Sequence, residues 1–333
     1  MYLDDEGGLG VRWPVAEFGM VKLSQYVRAR DTRQLTSQQH ASLRHRYVLR
    51  RNLTGWAFIL PAVIPFTLFL LIPAMMVFWW STQEGSITGA TRFVGLDNWA
   101  YVVSRSEVMT SVLNTVKFAL MSVPLIVAAG LGVALLLQRV GRAGAVFRFA
   151  VYFPVLVPGV VAGLMWIFMT HPDFGLLSLA SRFVGLTPPV WLGPGTALVL
   201  LAFVDVWRSV GYWAVFLLAG LMGLPRELYE AADLDGANAV RRFRYITLPQ
   251  LRPILLFVVV VSTIWALQIF DTVWLMTRGG PGTSTVTMVF YVYMEALQRG
   301  EVGPAAAISV MLLAGILVLT AIQMRLLRGP KVS

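Results

Sequence analysis

Residues 230–236 of this chain read EAADLDG, and residues 246–249 read ITLP. Both stretches lie in one polar, charged connection, residues 222–252, which separates two long apolar runs. A connection of this length has room for two short helices of its own. Surface connections carry binding sites more often than the elements they join. We therefore expect this one to meet a soluble partner.

The composition of the 333-residue chain is typical of a polytopic membrane protein. Hydrophobic residues make up 57% of it and charged residues only 13%, whereas a soluble protein carries about 25% charged residues. Six apolar runs are long enough to cross a bilayer, which takes about 20 residues. Because spanning segments must satisfy their backbone hydrogen bonds internally, the predicted fold is all-α with six transmembrane helices. We place them at 55–80, 112–137, 149–170, 195–221, 254–275 and 304–326.

The basic residues predict the orientation of these helices. Of the 27 Lys and Arg, twenty lie in the N-terminal segment, the second-to-third and fourth-to-fifth connections and the C-terminal tail. Five lie in the other three connections, and Lys117 and Arg208 lie within spans. Since basic residues concentrate in cytoplasmic loops, both termini and the 222–252 connection are predicted to be cytoplasmic. The same distribution explains the net charge of +10 without nucleic-acid binding.

Three regions follow from this topology. A basic cytoplasmic tail occupies 1–54, a six-helix transmembrane domain with a cytoplasmic helical loop occupies 55–327, and a short cytoplasmic tail occupies 328–333. An interfacial helix near 14–30 and a disordered basic tail are both open interpretations of the N-terminal region. Prolines within the spans, such as Pro154 and Pro158, are interpreted as kinks in a helix bundle.

The chain lacks the residues that several kinds of chemistry require. The chain has no cysteine, and His40, His45 and His171 do not have metal-site spacing with carboxylates around them, so no metal site is predicted. No G-x-x-x-x-G-K-[ST] phosphate loop is present, so ATP binding by that route is not expected. A membrane enzyme needs converging carboxylates or histidines, and the spans hold only Asp205 and Asp271. No catalytic residue is therefore predicted.

The spacing E-A-A, three residues, G, nine residues, I-x-L-P resembles the cytoplasmic-loop signature of permease subunits from binding-protein-dependent ABC importers. The extended form of the signature resembles the carbohydrate branch, which includes the maltose and glycerol-3-phosphate permeases. The residues that carry this resemblance are Glu230, Ala231, Ala232, Asp235, Gly236, Ala237, Phe243, Ile246, Leu248, Pro249 and Pro253.

Other segments extend the resemblance to about residues 50–327. Residues 93–98 read FVGLDN, which is similar to the first external loop of that branch, and residues 277–281 read TRGGP, which is similar to its turn after the fifth span. Asn114-Thr115 opens the second span as in those proteins. The chain departs from the family after the third span, where G-x-x-N is common and residues 175–178 read GLLS.

The resemblance implies a transport subunit that is not an enzyme and binds no cofactor itself. ATP and Mg²⁺ would belong to two partner ATPase subunits, and further partners would be a second related permease, an external solute-binding protein and the lipid bilayer. The protein would lie in the cytoplasmic membrane of a prokaryote and import a carbohydrate, polyol or glycerol phosphate by alternating access.

The resemblance also gives roles to residues of the 222–252 loop. Its first short helix would insert into a cleft of the ATPase, where Glu230 would pair with a basic residue. The local physics agrees with this, because Gly236 permits a sharp turn into a second helix. Pro249 and Pro253 are then expected to set the angle of entry into the fifth span.

Polar residues within the spans are candidates for the substrate path. Asp205 and Arg208 are three residues apart, hence on one helical face, and charges at that depth usually face a bundle interior or a wet cavity. A patch lining the path and a structural ion pair both remain open. Gln268, Asp271 and Trp274 are predicted on the outer half of the fifth span at positions i, i+3 and i+6.

Polar groups beside an aromatic ring suit a sugar, whose hydroxyls accept and donate hydrogen bonds while its C–H face stacks. Aromatic residues are common as interface anchors in any membrane protein, and this interpretation of Trp274 is slightly favoured. Asn114 and Lys117, near the outer end of the second span, are further candidates for the path.

Other classes of function remain as alternatives at this point. A polytopic membrane enzyme would show turnover as a purified chain. A channel or secondary transporter would work without an ATPase partner and would follow an ion gradient. Within the importer class, the cargo would alternatively be an amino acid or a peptide.

Overall fold

Helices make up nearly all of the regular structure. The computed structural model describes residues 56–86, 89, 92–140 and 144–327. The chain divides into two compact units, Met1–Leu71 and Ile72–Ser333. Over the described part, five helices are long and apolar enough to cross a membrane, or six if one bent pair is counted as a span. The predicted all-α polytopic membrane fold is confirmed.

The helices and strands follow one another in a simple order. In the chain they are α1 Trp56–Trp80, β1 Gln83–Glu84, β2 Arg92–Phe93, α2 Asp97–Ser104, α3 Ser106–Arg139, α4 Gly144–Tyr152, α5 Gly159–Met169, α6 Leu176–Phe183, α7 Ala197–Met222, α8 Arg226–Leu234, α9 Ala239–Leu267, α10 Met288–Tyr293 and α11 Val302–Leu327.

Short segments of other helical geometry interrupt or extend these elements. A π-helical turn lies within α1 at Thr67–Leu71, and another lies within α9 at Phe243–Thr247. A 3₁₀ turn, Phe153–Leu156, extends α4, and a π-helical turn, Met294–Gln298, extends α10. A further π-helical turn, Val273–Thr277, follows α9 after a break. The strands β1 and β2 pair antiparallel.

The span predicted at 149–170 is broken, so the prediction of one kinked helix is wrong. Residues Gly144–Leu156 and Gly159–Met169 meet at an angle of 95°. Val157 and Pro158 are both extended at the break. The residue before a proline disfavours helical geometry, and proline itself cannot donate a backbone hydrogen bond, so the helix ends there.

The helix that contains most of the span predicted at 254–275 begins and ends earlier in the chain than that span, so the predicted end at 275 is wrong. Helix α9 begins at Ala239, within a stretch whose arginines conceal it from a search for apolar runs. It ends at Leu267, although the sequence remains apolar beyond that point. Ile269 and Val273 continue the buried core after the helix has ended, so hydrophobicity alone does not reveal the break.

Two clusters of buried apolar residues hold the second unit together. The first includes Phe118 of α3 and Leu201 of α7. The second includes Ile126 of α3, Trp213 of α7 and residues of α9. Helices α3, α7 and α9 contribute to both clusters. The most extensive contact is between α3 and α7, and α9 packs against this pair.

Gly211 of α7 lets that helix approach the backbone of α4 closely. A Cβ atom at this position would overlap the carbonyl oxygen of Val151 and would lie 3.1 Å from the Cα atom of Tyr152. Small residues permit such backbone contacts between membrane helices. The contact fixes the end of α4, and hence Tyr152, against the middle of α7.

We expect Gly211→Ala to lower the thermal unfolding midpoint of the detergent-solubilised protein. Overpacking costs about 1–3 kcal/mol, and the upper end applies here because the overlapping atom belongs to the backbone. Gly132→Ala in α3 is the control, since a Cβ there meets nothing within 4 Å and alanine favours a helix by about 1 kcal/mol over glycine. Equal midpoints for Gly211→Ala and wild type would contradict the close contact.

Candidate functional site

The first candidate site is the Glu230 hairpin, which comprises residues 225–249. Helix α8 ends in a turn in which Gly236 has φ +69°. The backbone N–H groups of Gly236 and Ala237 donate to the carbonyl oxygens of Asp233 at 3.1 Å and Ala232 at 2.9 Å. This is the hydrogen-bond pattern of a Schellman C-cap, which requires a left-handed residue. The turn predicted at Gly236 is confirmed.

Side chains join the two arms of the hairpin. Asn238 caps the start of α9, where its Oδ1 atom accepts from the backbone N–H of Arg241 at 2.9 Å. Asp233 of α8 forms an ion pair with Arg242 of α9. The hydroxyl groups of Tyr229 and Thr247 form a hydrogen bond of 2.9 Å across the same interface. The hairpin is therefore held as one unit.

The second arm of the hairpin continues into a membrane-spanning helix. Helix α9 runs without a break from Ala239 to Leu267, a length of about 43 Å. Pro249 lies in the first turn after the π-helical turn, and Pro253 lies inside the helix. The helix therefore continues through both prolines, from the hairpin into the membrane span. The departure from α geometry nearest to Pro249 is the π-helical turn that precedes it.

The surface of the hairpin presents an acid without a partner and exposed apolar side chains. Among the described residues, nothing forms an ion pair or hydrogen bond with the exposed Glu230 side chain. Leu234 is 91% exposed, and Leu228 is 39% exposed. The other residues predicted here range from exposed (Ala231, Asp235, Gly236, Leu248 and Pro249) through half-buried (Ala237 and Ile246) to buried (Ala232).

The second candidate site is a cavity of about 650 Å³ beside α7. One wall is the break between α4 and α5, and another is the break after α9. Its lining contains Tyr152, Val155, Val157, Pro158, Gly159, Asp205, Arg208, Ser209, Tyr212, Trp265, Gln268, Ile269, Phe270, Asp271 and Thr272. The volume lies within the range of about 300–1,000 Å³ found for small-molecule sites.

Three charged side chains line this cavity. Asp205 and Arg208 share one face of α7, as predicted from their spacing. A Cβ atom on Gly159 would lie 2.5 Å from Nη1 of Arg208 and 3.0 Å from Oδ2 of Asp271, so these two side chains face each other across that glycine. Within the described residues, the ion pairs do not include any of the three.

Aromatic residues of the cavity are absent from the sequence-based prediction. Tyr212 follows Arg208 by four residues, so helical periodicity would have identified it. Trp265 precedes Gln268 by three residues at the end of α9. Tyr152 gave no such signal, because only the broken helix and the contact at Gly211 bring it to the cavity.

Gln268 and Asp271 line the cavity, but the helical spacing assumed for them is wrong. Gln268 caps α9, and Asp271 follows the break. Trp274 instead lines a separate pocket of about 470 Å³ with Arg278. Asn114 and Lys117 line a third pocket, of about 500 Å³. The predicted path residues are thus divided among three places.

A buried charge that the sequence-based prediction missed lies in the π-helical turn after α10. Glu295 is fully buried and forms an ion pair with Arg299, four residues later. Burial raises the pKa of the neighbouring Tyr291 hydroxyl above its usual range.

The described residues contain no cluster of three or more His, Cys, Asp or Glu that could hold a metal ion.

Comparison with known proteins places these features in a family. Residues 126–331 match the family described as binding-protein-dependent transport system inner membrane component. The trehalose/maltose transport system permease protein MalF of Thermococcus litoralis is 34% identical over 273 residues, which cover 81% of this chain and 92% of that protein. The sulfoquinovosyl glycerol transport system permease protein SmoG of Agrobacterium fabrum is 32% identical over 271 residues, covering 80% and 88%.

A solved structure has the same fold. A chain in the crystal structure of a bacterial ABC transporter involved in the import of the acidic polysaccharide alginate matches with a TM-score of 0.76. The match covers 86% of this chain and 98% of that chain, at 21% sequence identity. At that identity the likeness concerns the fold alone.

We expect Asn114→Ala to destabilise the protein, because its amide bridges two segments. The Asn114 Nδ2 group donates to the carbonyl oxygens of Thr283 at 2.8 Å and Val286 at 3.1 Å. Leaving buried acceptors without a donor costs about 1–3 kcal/mol, so the thermal unfolding midpoint in detergent should fall. Lys117→Ala, at an exposed position of the same helix, is the control and should leave the midpoint unchanged. Equal midpoints for Asn114→Ala and wild type would show that these bonds contribute nothing.

Proposed function

This chain belongs to the family of binding-protein-dependent transport system inner membrane components, and from that premise we propose that it forms half of the translocation path of an ATP-driven carbohydrate importer. The family is one of transport components, which agrees with the expected transport subunit and not with a membrane enzyme. A channel or a secondary transporter is likewise a different class from a binding-protein-dependent system.

We propose that transport is driven by a pair of ATPase subunits, which dock on the Glu230 hairpin and bind ATP and Mg²⁺. Support comes from the exposed, unpaired carboxylate of Glu230 among the described residues, beside the exposed Leu234. The charged neighbour Asp233 is already paired with Arg242, which stiffens the hairpin. A hairpin that is braced internally and continuous with α9 transmits a push at α8 to the membrane-spanning helix.

The path in this proposal is the cavity beside α7. The observation that carries it is the meeting of two helix breaks, at Val157–Pro158 and after Leu267, on one polar cavity. Irregular backbone at membrane depth is tolerated only where it is covered by protein or lines a water-filled space. Discontinuous helices in transporters typically form the substrate site.

The cargo in this proposal is a carbohydrate or a related polyol. The relatives named above are permeases for trehalose/maltose and for sulfoquinovosyl glycerol. The cavity adds physical support, since Tyr152, Tyr212 and Trp265 offer rings for stacking and Gln268 offers an amide. An amino acid or peptide permease has no specific observation in its favour.

The remaining partners follow from the proposed class. A second permease subunit would close the open side of the path, since one bundle of this size encloses little volume. An external solute-binding protein would deliver the cargo. Both termini and the Glu230 hairpin would face the cytoplasm, in keeping with the distribution of basic residues.

The orientation can be tested with single cysteines, because the chain has none of its own. We expect Leu234→Cys, on α8, to react with a membrane-impermeant maleimide only in inside-out vesicles, prepared from cells that make this chain without the ATPase subunits. We expect Asp173→Cys, on the exposed connection between α5 and α6, to react only from the outside of intact spheroplasts. The opposite labelling pattern would reverse the proposed orientation.

The docking role of Glu230 can be tested by charge reversal. We expect Glu230→Lys to lower ATP-dependent uptake about tenfold or more while the chain still inserts in the membrane, because a charge-assisted contact worth about 1.5–3 kcal/mol is replaced by repulsion. Glu227→Lys makes the same change one turn earlier on α8, outside the matched signature, and should retain most of the uptake. Wild-type uptake and ATPase activity in Glu230→Lys would refute the docking role.

A further inference from the structure

The charges that line the cavity are unequal in number. Among its described lining residues, Asp205 and Asp271 are acidic and Arg208 is basic. The guanidinium lies one helical turn from Asp205 and faces Asp271 across Gly159. Each carboxylate lowers the positive potential that Arg208 alone would create. With all three side chains in their charged forms, the cavity wall formed by this chain carries one excess negative charge.

We propose that the cargo of this cavity is an uncharged polyhydroxylated molecule and not an anionic sugar such as a phosphate, sulfonate or uronate. This inference rests on the proposed function. Family membership leaves the charge of the cargo open, since one named relative serves trehalose/maltose and another serves sulfoquinovosyl glycerol, which bears a sulfonate. An anion that entered this cavity would meet two carboxylates beside a guanidinium whose positive charge they already compensate.

The N-terminus of α5 would by itself attract an anion, because its first backbone N–H groups have no helical partner. Gly159 is the first residue of that helix. The carboxylate of Asp271 lies beside this residue and already supplies the negative charge that the helix end favours. The helix terminus therefore attracts a second anion less than it would without Asp271.

An uncharged sugar satisfies the same groups without a charge conflict. Its hydroxyl groups donate to the carboxylate oxygens of Asp205 and Asp271 and accept from the guanidinium of Arg208. Its C–H faces pack against Tyr212 and Trp265, which line the same cavity. Hydrogen bonds to charged partners are stronger than those between neutral groups, so the three charged side chains also aid affinity for a neutral sugar.

The test compares ligand pairs that differ by one charged group. The reconstituted complex of this chain with its partner subunits is given glucosyl glycerol or sulfoquinovosyl glycerol, and maltose or maltose 6′-phosphate. Two quantities are measured for each ligand: ATP-dependent uptake into proteoliposomes, and binding to the complex without the external binding protein. The second measurement isolates the membrane cavity from selection by the binding protein.

We expect the neutral member of at least one pair to be preferred about tenfold or more, as like charges in one small cavity disfavour binding. Asp205→Asn with Asp271→Asn keeps the shapes of the side chains and leaves the wall with one positive charge. This double variant should raise the anionic-to-neutral ratio about tenfold or more. Asp173→Asn, an exposed acid outside the cavity, should leave the ratio unchanged, and thermal unfolding midpoints verify folding.

The outcomes separate this inference from the function on which it rests. Transport of the anionic members alone would overturn the inference and leave the importer function standing. An unchanged ratio in the double variant, when that variant is folded and assembled, would also overturn it. Uptake and binding of none of the four ligands would overturn the carbohydrate function and the inference together.

Discussion

The structure depends on one constraint, which is that a helix broken within a membrane must place its freed backbone groups against protein or water. In the part of the chain that the structure describes, one helix is broken at Val157–Pro158 and another ends after Leu267, and both breaks border the same polar cavity. The continuous helix α7 supplies the charged wall between them. Neither break is tolerated against lipid, and the polar cavity together with the protein around it meets this requirement.

The same helices connect this cavity with the Glu230 hairpin. Helix α7 carries Asp205 and ends at Met222, directly before the hairpin, while α9 leaves the hairpin and ends at Leu267 beside the cavity. A displacement of the hairpin therefore reaches two walls of the cavity through unbroken helices. The Schellman turn at Gly236 and the Asp233–Arg242 ion pair make the hairpin stiff enough to move as a unit.

Sequence patterns predicted the hairpin in more detail than the cavity. The turn at Gly236 requires a left-handed residue, and the signature that surrounds it is local, so spacing alone identified it. The prediction that Gln268, Asp271 and Trp274 lie together on one helical face is wrong, because it extended the helix through the break after Leu267. Apolar residues on both sides of that break are buried, so the hydrophobic pattern does not change where the backbone does.

The sequence by itself determined the all-α membrane class and the Glu230 hairpin, because these rest on apolar length and on the backbone needs of single residues. Only the tertiary structure decided which polar groups meet. It placed Tyr152 beside α7 through the backbone contact at Gly211, and it set Asp271 opposite Arg208 across Gly159. Both arrangements join residues more than 45 positions apart in the chain, and close packing between helices, which no local pattern encodes, brings them together.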